Sequence, residues 1–191
     1  MHGVVTLPNL VSLVRLLLIP VFLWLLFGQD DPGSAGLLLG LIGATDWVDG
    51  YLARRLDQVS EIGKLLDPLA DRLAVAAAVI GGLIADVLPP AFAWALILRE
   101  VLIGMGALVG WMRGVAKLDV RYLGKLATFI LYFAIAGFYV GVGFDVPLFV
   151  TAAWVIGVPG LVIYYVVAFQ YVGDMRAAIA AREPNGKPAA R

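Results

Sequence analysis

Runs of apolar residues recur along the whole chain and constrain its fold more than any other feature. An α-helix needs about 20 consecutive apolar residues to cross the hydrocarbon core of a bilayer. A soluble amphipathic helix would place polar residues on one face at every turn, and most of these segments do not. The pattern therefore predicts an all-α membrane protein with six transmembrane helices, at about 8–28, 34–53, 62–85, 90–112, 122–144 and 147–171.

Composition supports this fold and narrows the chemistry. Of the 191 residues, 62% are hydrophobic and only 15% are charged, against roughly a quarter charged in soluble proteins. The absence of cysteine excludes disulfides and thiolate metal sites. The single histidine, His2, leaves no basis for histidine-ligated zinc or histidine acid–base chemistry.

Basic residues are distributed asymmetrically among the connections. "GQDDPGS", "DVLPP" and "GFDVP" contain no Lys or Arg, whereas the alternate connections and the C-terminal tail are basic. The positive-inside rule then predicts that both termini, and the connection between the second and third spans, face the cytoplasm of a plasma-membrane protein.

The chain reads as one membrane domain over residues 1–175, followed by a polar tail over 176–191 that we expect to be disordered. The N-terminal segment lacks a basic leader and a small-residue cleavage site, so we do not expect a cleaved signal peptide. Gly36, Gly40 and Gly43 recur at helical spacing, which predicts close packing of the second helix against a neighbour.

Four aspartates interrupt this apolar chain at regular intervals. Asp46 and Asp49 are three residues apart, and Asp67 and Asp71 are four apart, so each pair lies on one face of its helix. The second span descends to the cytoplasmic surface and the third returns from it, so the two pairs can face each other at the membrane boundary.

Four neighbouring carboxylates would repel one another unless cations neutralised them. All-oxygen ligation suits Mg²⁺, Mn²⁺ or Ca²⁺ rather than zinc. A pair of such cations is a recurring device for displacement at phosphorus. The alternative is a set of solvated charges at the helix ends; that accounts for Asp57 and Glu61, but not for four aspartates at matching spacing.

The residues around the aspartates suit a phosphate ligand. Gly50 and Ala53 leave the helix surface bare, so that a nucleotide can approach the backbone. Arg54, Arg55 and Lys64 can neutralise phosphates, and arginine does so with two parallel hydrogen bonds.

Eight positions at fixed spacing resemble the motif of the CDP-alcohol phosphatidyltransferases: Asp46, Asp49, Gly50, Ala53, Arg54, Gly63, Asp67 and Asp71. The segment "LPNLVSLVRLLLIPVF" at 7–22 is similar to the opening of bacterial phosphatidylglycerophosphate synthases and their cardiolipin-synthase relatives. The resemblance extends over the six spans and omits only the tail.

This resemblance implies a mechanism. The four aspartates would hold two divalent cations, Mg²⁺ or Mn²⁺, that bind the pyrophosphate of CDP-diacylglycerol. Asp71 would act as the general base for the acceptor hydroxyl, whose oxygen attacks the lipid-side phosphorus and displaces CMP. The implied nucleotide-binding residues are Gly50, Ala53, Arg54 and Gly63.

The acceptor is predicted from the remaining basic residues. Arg99 lies inside the fourth span beside Glu100, where it either binds a ligand or forms a structural ion pair. Ala107 and Ala127 stand where phosphatidylglycerophosphate synthases typically carry Arg and Lys, and "YLGKLATF" resembles the actinobacterial cardiolipin synthases. We therefore expect phosphatidylglycerol as acceptor, with glycerol 3-phosphate as the alternative. The candidate acceptor-binding residues are Arg99, Arg113, Arg121 and Lys125.

Two other classes of protein remain as alternatives. An ion-coupled transporter would also bury carboxylates and Arg99, but nothing in the sequence indicates paired broken helices at the midplane. A non-catalytic scaffold on the same fold would not need all eight motif positions. The resemblance also implies a homodimer in contact with membrane lipids, and we expect no nucleic-acid partner.

Overall fold

The computed structural model describes residues 7–56, 63–114 and 122–180, and the side chains of 12–44, 70–114 and 123–179. These residues form six α-helices and one π-helical segment. In chain order they are α1 (Leu7–Leu23), the π-helical segment (Trp24–Gly28), α2 (Pro32–Leu56), α3 (Gly63–Ile84), α4 (Pro90–Met112), α5 (Tyr122–Gly143) and α6 (Pro147–Ala180).

The prediction of an all-helical fold is confirmed, and the helices coincide with the six predicted segments to within a few residues at most ends. Within the described residues, three helices are long and apolar enough to cross a membrane: Pro90–Met112, Leu123–Gly143 and Pro147–Ile179. Ser12–Gly28 and Pro32–Ala44 are shorter apolar helices. In a bilayer only helices and closed barrels satisfy every backbone polar group, which is why apolar length predicts these elements well. These are the helices of a multi-pass membrane protein.

The end of α6 corrects one predicted boundary. The helix continues to Ala180, so residues 176–180 are helical although we assigned them to the tail. Alanine and arginine have high helix propensity, and the sequence "RAAIA" gives the helix no reason to stop there. Residues 181–191 lie outside the described part of the chain.

α5 is the centre of the bundle, because it packs against α2 and α6 and also contacts α3. Tyr139 of α5 is fully buried, and its hydroxyl donates a hydrogen bond to the carbonyl of Ala78 on α3 at 2.7 Å. The ring of Phe22 on α1 meets the Tyr139 ring edge-on, with centroids 5.4 Å apart. Tyr139 therefore ties α1 and α3 to the core, and those two helices pack side by side.

Glycines bring α2 close to α5. A β-carbon added at Gly36 would lie 2.6 Å from the Cβ of Tyr139, and one at Gly43 would lie 2.5 Å from the ring of Tyr132. The predicted close packing is confirmed at these two positions. Gly40 is less constrained, since an added β-carbon would be in ordinary contact with Ala136 at 3.9 Å.

At one end of the bundle, three helical segments are each followed by an aspartate in a left-handed backbone conformation. Asp30, Asp86 and Asp145 adopt left-handed backbone conformations, with φ of 52°, 53° and 53°. After α3, the amide of Val87 donates to the carbonyl of Gly82 at 2.9 Å, the six-to-one bond of a Schellman motif. Aspartate tolerates this conformation better than most side chains, and a proline follows within four residues each time.

Asp31 caps the start of α2. Its Oδ1 accepts a hydrogen bond from the backbone amide of Ser34 at 2.9 Å. Hydrogen bonds from the Ser34 side chain and backbone lower the pKa of Asp31 below its ordinary value. The acidic connections thus carry one capping aspartate, Asp31, as well as the three aspartates in the turns.

Candidate functional site

The predicted motif is divided between two helices. α2 contains Asp46 and Asp49, and α3 contains Asp67 and Asp71. Of these four side chains, the structure describes only that of Asp71. Five further predicted site residues have side chains outside the described part, and their roles stay predictions: Gly50, Ala53, Arg54, Gly63 and Arg121.

Asp71 is held by a buried arginine of α1. The Nη1 of Arg15 donates to the Oδ1 of Asp71, which joins residues 56 positions apart in the chain. The Arg15 side chain is 6% exposed, whereas that of Asp71 is 47% exposed. The ion pair therefore anchors a carboxylate that is accessible from outside the helix pair, with its cation on the inner side.

This arrangement fits a divalent cation. Ligating carboxylates are commonly oriented by a second group that hydrogen-bonds them, and Arg15 is placed to do this for Asp71. The four predicted ligands supply carboxylate oxygens only, which suits Mg²⁺ or Mn²⁺. No three acidic side chains come together within the described ranges, which leave out three of these four carboxylates.

A second polar cluster lies between α4 and α6. Arg99 is 8% exposed, and its Nη1 donates to Oε1 of Glu100 at 2.8 Å. The hydroxyl of Tyr164 donates to the same oxygen, and the Tyr164 ring lies 3.5 Å from the Arg99 guanidinium carbon. The guanidinium is thus paired with one carboxylate and stacked on one aromatic face.

One donor of this cluster is left over. The Nε of Arg99 is buried and has no hydrogen-bond partner among the described residues. Buried donors in folded proteins are nearly always paired, so an unpaired one marks a place for a ligand or water oxygen. The charge of Arg72 on α3 also acts on the Tyr164 phenol.

Two other predicted acceptor residues, Arg113 and Lys125, are not in contact with this cluster in the described part of the chain. Arg113 is exposed just beyond the end of α4, and 14 residues of helix place it about 21 Å along the axis from Arg99. Lys125 is exposed in the first turn of α5. Ala107 is exposed, but Ala127 is fully buried in the core, so a lysine there would place its ammonium among packed side chains.

Sequence reasoning missed three residues of these clusters. Arg15 had a signal, because a charge interrupting an apolar run needs a partner. There was no comparable signal in the sequence for Arg72 or Tyr164, because a basic residue near a helix end and a tyrosine in an apolar span are both common. Their positions depend on which helices pack together, and that is not encoded in local periodicity.

Comparisons with known proteins match most of this chain to one family model and to similar proteins. The family model described as CDP-alcohol phosphatidyltransferase matches residues 5–172. The chain is similar to the cardiolipin synthase (CMP-forming) of Streptomyces coelicolor, with 35% identity over 187 residues that cover 93% of this chain and 86% of that protein.

Similarity over a shorter part of the chain extends to two further relatives. A putative cardiolipin synthase of Mycobacterium tuberculosis is 38% identical over 73% of this chain and 64% of its own length. The CDP-diacylglycerol–glycerol-3-phosphate 3-phosphatidyltransferase of Bacillus subtilis is 36% identical over 68% of this chain and 74% of its own.

Proposed function

The chain belongs to the CDP-alcohol phosphatidyltransferase family, and we propose that it transfers the phosphatidyl group of CDP-diacylglycerol to phosphatidylglycerol. The products are cardiolipin and CMP. Family membership favours an enzyme over the ion-coupled transporter and the scaffold. The extensive similarity to a cardiolipin synthase supports the choice of acceptor.

The observation that carries this proposal is the unpaired Nε of the buried Arg99. Glu100 pairs with Arg99 and offsets its charge, and the positive charge of the exposed Arg72 also acts on this cluster. That balance suits the single negative charge of a phosphodiester, as in phosphatidylglycerol. The phosphate monoester of glycerol 3-phosphate, which carries close to two charges at neutral pH, would need a further cation.

We assign the cations and the nucleotide to the predicted motif. Asp46, Asp49, Asp67 and Asp71 would hold two divalent cations, Mg²⁺ or Mn²⁺. When bound, these cations supply positive charge at the pyrophosphate oxygens. The cytidine nucleotide would lie against Gly50, Ala53, Arg54 and Gly63.

In the proposed reaction Asp71 accepts the proton of the acceptor hydroxyl. That oxygen forms a bond to the lipid-side phosphorus, and the bond from this phosphorus to the bridging oxygen breaks with release of CMP. Arg15 keeps the Asp71 carboxylate in place, and Arg99 holds the acceptor phosphodiester through its Nε. We further propose that the site faces the cytoplasm of the plasma membrane and that the enzyme is a homodimer.

Glycerol 3-phosphate remains the second candidate acceptor. The similarity to the B. subtilis phosphatidyltransferase favours it, since that protein is named for this acceptor. In this case the exposed Arg113 and Lys125 would have to approach the acceptor phosphate.

Turnover by the purified protein in detergent tests the proposal. CDP-diacylglycerol and Mn²⁺ or Mg²⁺ are supplied with either phosphatidylglycerol or glycerol 3-phosphate, and both CMP and the lipid product are measured. We expect cardiolipin from phosphatidylglycerol, no product after chelation by EDTA, and no product from Asp71→Asn. Phosphatidylglycerophosphate as the sole product would show that the acceptor assignment is wrong. CMP release unaffected by Asp71→Asn would remove Asp71 from catalysis.

A further inference from the structure

α1 carries a buried serine, Ser12, one turn before Arg15, and we propose that it is a positioning residue for Asp67 in the proposed metal site. Its hydroxyl would donate a hydrogen bond to the Asp67 carboxylate, as the guanidinium of Arg15 does to Asp71. This inference rests on the proposed function, since it concerns a ligand of the cations assigned there.

Ser12 lies on the inner face of α1. Its exposed fraction is 2% and that of Arg15 is 5%, whereas Leu13 and Val14 between them are 49% and 46% exposed. The same face continues toward the other end of the bundle with the buried, apolar Phe22. A hydroxyl placed on this face costs free energy unless it is hydrogen-bonded, so its position calls for a polar partner.

The register between α1 and α3 locates that partner. Arg15 bonds Asp71, an offset of 56 residues. Further along, a β-carbon added to Gly81 would lie 3.0 Å from the side chain of Leu26, an offset of 55. The two helices therefore run in the same direction, and equal rise per residue keeps this offset along their length. Ser12 is thus level with positions 67 and 68 of α3.

The helical repeat favours position 67 over position 68. Each residue turns an α-helix by about 100°, so three steps back from Arg15 amount to about 60° in one sense. Four steps back from Asp71 amount to about 40° in the opposite sense. On two parallel helices that face each other, these opposite rotations bring Ser12 and Asp67 to the same side of the contact. Pro68, three steps before Asp71, is moved to the other side.

The distances along the helix axes also agree. Ser12 is three residues before Arg15 and Asp67 is four before Asp71, which corresponds to about 4.5 Å and about 6 Å of axial rise. The difference of about 1.5 Å is smaller than the length of either side chain. Ser12 and Arg15 on α1 therefore match the spacing of the two aspartates on α3.

A serine supplies what this ligand needs without adding charge. A carboxylate that binds a cation with one lone pair keeps others for a hydrogen-bond donor, and that donor holds the carboxylate in its ligating orientation. Arg15 already places one positive charge beside the cations. A neutral hydroxyl at Asp67 orients the second carboxylate of α3 and leaves its full negative charge for the metal.

Binding of Mn²⁺ without substrate tests the role. Full-length protein is purified in detergent, stripped with EDTA and titrated with Mn²⁺, and the free ion is measured by electron paramagnetic resonance. We expect Ser12→Ala to raise the Mn²⁺ Kd roughly tenfold, the lower end of the usual cost of losing a group that orients a metal ligand. Ser12→Thr keeps the hydroxyl and should stay close to wild type.

Ser34→Ala is the matched control. It also removes a serine hydroxyl that bonds a carboxylate, that of Asp31, but at the opposite end of the bundle. Its Mn²⁺ Kd should equal that of wild type. If Ser12→Ala does not fold, Ser12→Cys replaces it, because the thiol has nearly the same shape but is a weak donor. That variant should raise the Kd severalfold.

Melting temperatures in EDTA test the partner independently of any metal. Ser12→Ala should lower the melting temperature by about 2–4 °C, which corresponds to one hydrogen bond in a chain of this size. In an Asp67→Ala background the same change should cost less than half as much, because the acceptor is already gone. In an Asp46→Ala background its cost should be unchanged.

Two results would overturn the inference. A wild-type Mn²⁺ Kd in Ser12→Ala, or in Ser12→Cys, would leave Ser12 as a hydroxyl bonded within its own helix, a common arrangement for serine. Equal losses of melting temperature in the wild-type and Asp67→Ala backgrounds would exclude Asp67 as the partner. Wild-type protein that binds Mn²⁺ but releases no CMP with either acceptor would instead refute the proposed function, and the two measurements on Ser12 would still stand.

Discussion

At the scale of single residues, the two polar clusters differ in how their charges are balanced. The Arg15–Asp71 pair joins one cation and one carboxylate, with the cation buried and the carboxylate half exposed. The cluster around Arg99 shares one carboxylate between a guanidinium and a phenol. In our proposal the first arrangement orients the carboxylate that reacts, and the second offers a buried donor, the Nε of Arg99, to an anionic ligand.

Replacing Arg15 tests whether it positions Asp71. We expect Arg15→Met to lower kcat and the affinity for Mn²⁺ roughly 10- to 100-fold, the usual cost of losing a group that orients a metal ligand. Arg15→Lys keeps the charge but loses the planar fork, so it should give an intermediate value. Activity assays and Mn²⁺ titration by electron paramagnetic resonance measure the two effects. Wild-type Mn²⁺ affinity in Arg15→Met would contradict the role.

Adjacent tyrosines on α6 allow a matched test of the Arg99 cluster. Tyr164→Phe keeps the ring beneath Arg99 but loses the hydrogen bond to Glu100, so Glu100 can shift and Arg99 is less well held. A lost bond to a charged group corresponds to roughly a tenfold effect or more, and we expect it in the KM for phosphatidylglycerol with a smaller change in kcat.

The control for this test is Tyr165→Phe, which removes a hydroxyl that donates to the carbonyl of Ala95 at 2.8 Å. That variant should lower the melting temperature slightly and leave the acceptor KM unchanged. Equal KM values for the two variants would argue against an acceptor site at Tyr164.

At the scale of helices, stability depends on close backbone approach. The ends of α2 and α5 meet at Gly33 and Gly143, where a β-carbon on Gly143 would lie 2.0 Å from the nitrogen of Gly33 and 2.4 Å from its Cα. Those are backbone atoms, so no side-chain rotation can relieve the overlap. Small residues at such contacts are typical of helix packing in membranes.

Gly143→Ala should therefore destabilise the protein by about 1–3 kcal/mol, the usual range for overpacking. Gly104→Ala is the control, because nothing lies within 4 Å of an added β-carbon there. That change should be neutral or slightly stabilising, since alanine favours helix over glycine. Thermal unfolding in detergent, followed by circular dichroism, compares the two. Equal melting temperatures for both variants would show that α2 and α5 separate at little cost.

The sequence predicted where the helices lie in the chain better than which helices pack against each other. The backbone of a membrane helix must form its hydrogen bonds internally, so a long apolar run locates such a helix. The bounds of Pro90–Met112 could be predicted directly from such a run. The pairing of α1 with α3 did not follow, since the connection lengths permit several packing orders. The Arg15–Asp71 contact and the Arg99–Tyr164 stacking depend on that order. The π-helical turn at Trp24–Gly28 also had no sequence signal that we could use.

At the scale of the whole molecule, charge distinguishes the two ends of the bundle. The end formed by the turns at Asp30, Asp86 and Asp145 is acidic, and basic residues such as Arg113 and Arg176 lie at the opposite end. The positive-inside rule assigns the basic end to the cytoplasm. With this predicted orientation the proposed site would lie on the cytoplasmic side.

The absence of cysteine makes the orientation straightforward to test, because any introduced cysteine is the only thiol. We expect Gln29→Cys to react with a membrane-impermeant maleimide in intact cells, and Arg176→Cys to react only after lysis. Both positions are exposed, and they lie at opposite ends of the bundle. The cysteine-free parent gives the background. The reverse labelling pattern would invert the predicted topology and place the site outside.

The apolar length of α4, α5 and α6 has a consequence for measuring this enzyme. A lipid substrate that reaches such helices from the surrounding bilayer is supplied in two dimensions, so its effective concentration is its mole fraction among the surrounding lipids or detergent. Adding inert detergent at constant bulk substrate would then slow the reaction by surface dilution. Rates measured in micelles of different composition can be compared only when substrate is expressed as its mole fraction in the micelle. The lipid or detergent around the protein therefore determines the measured rate in the way that a solvent does.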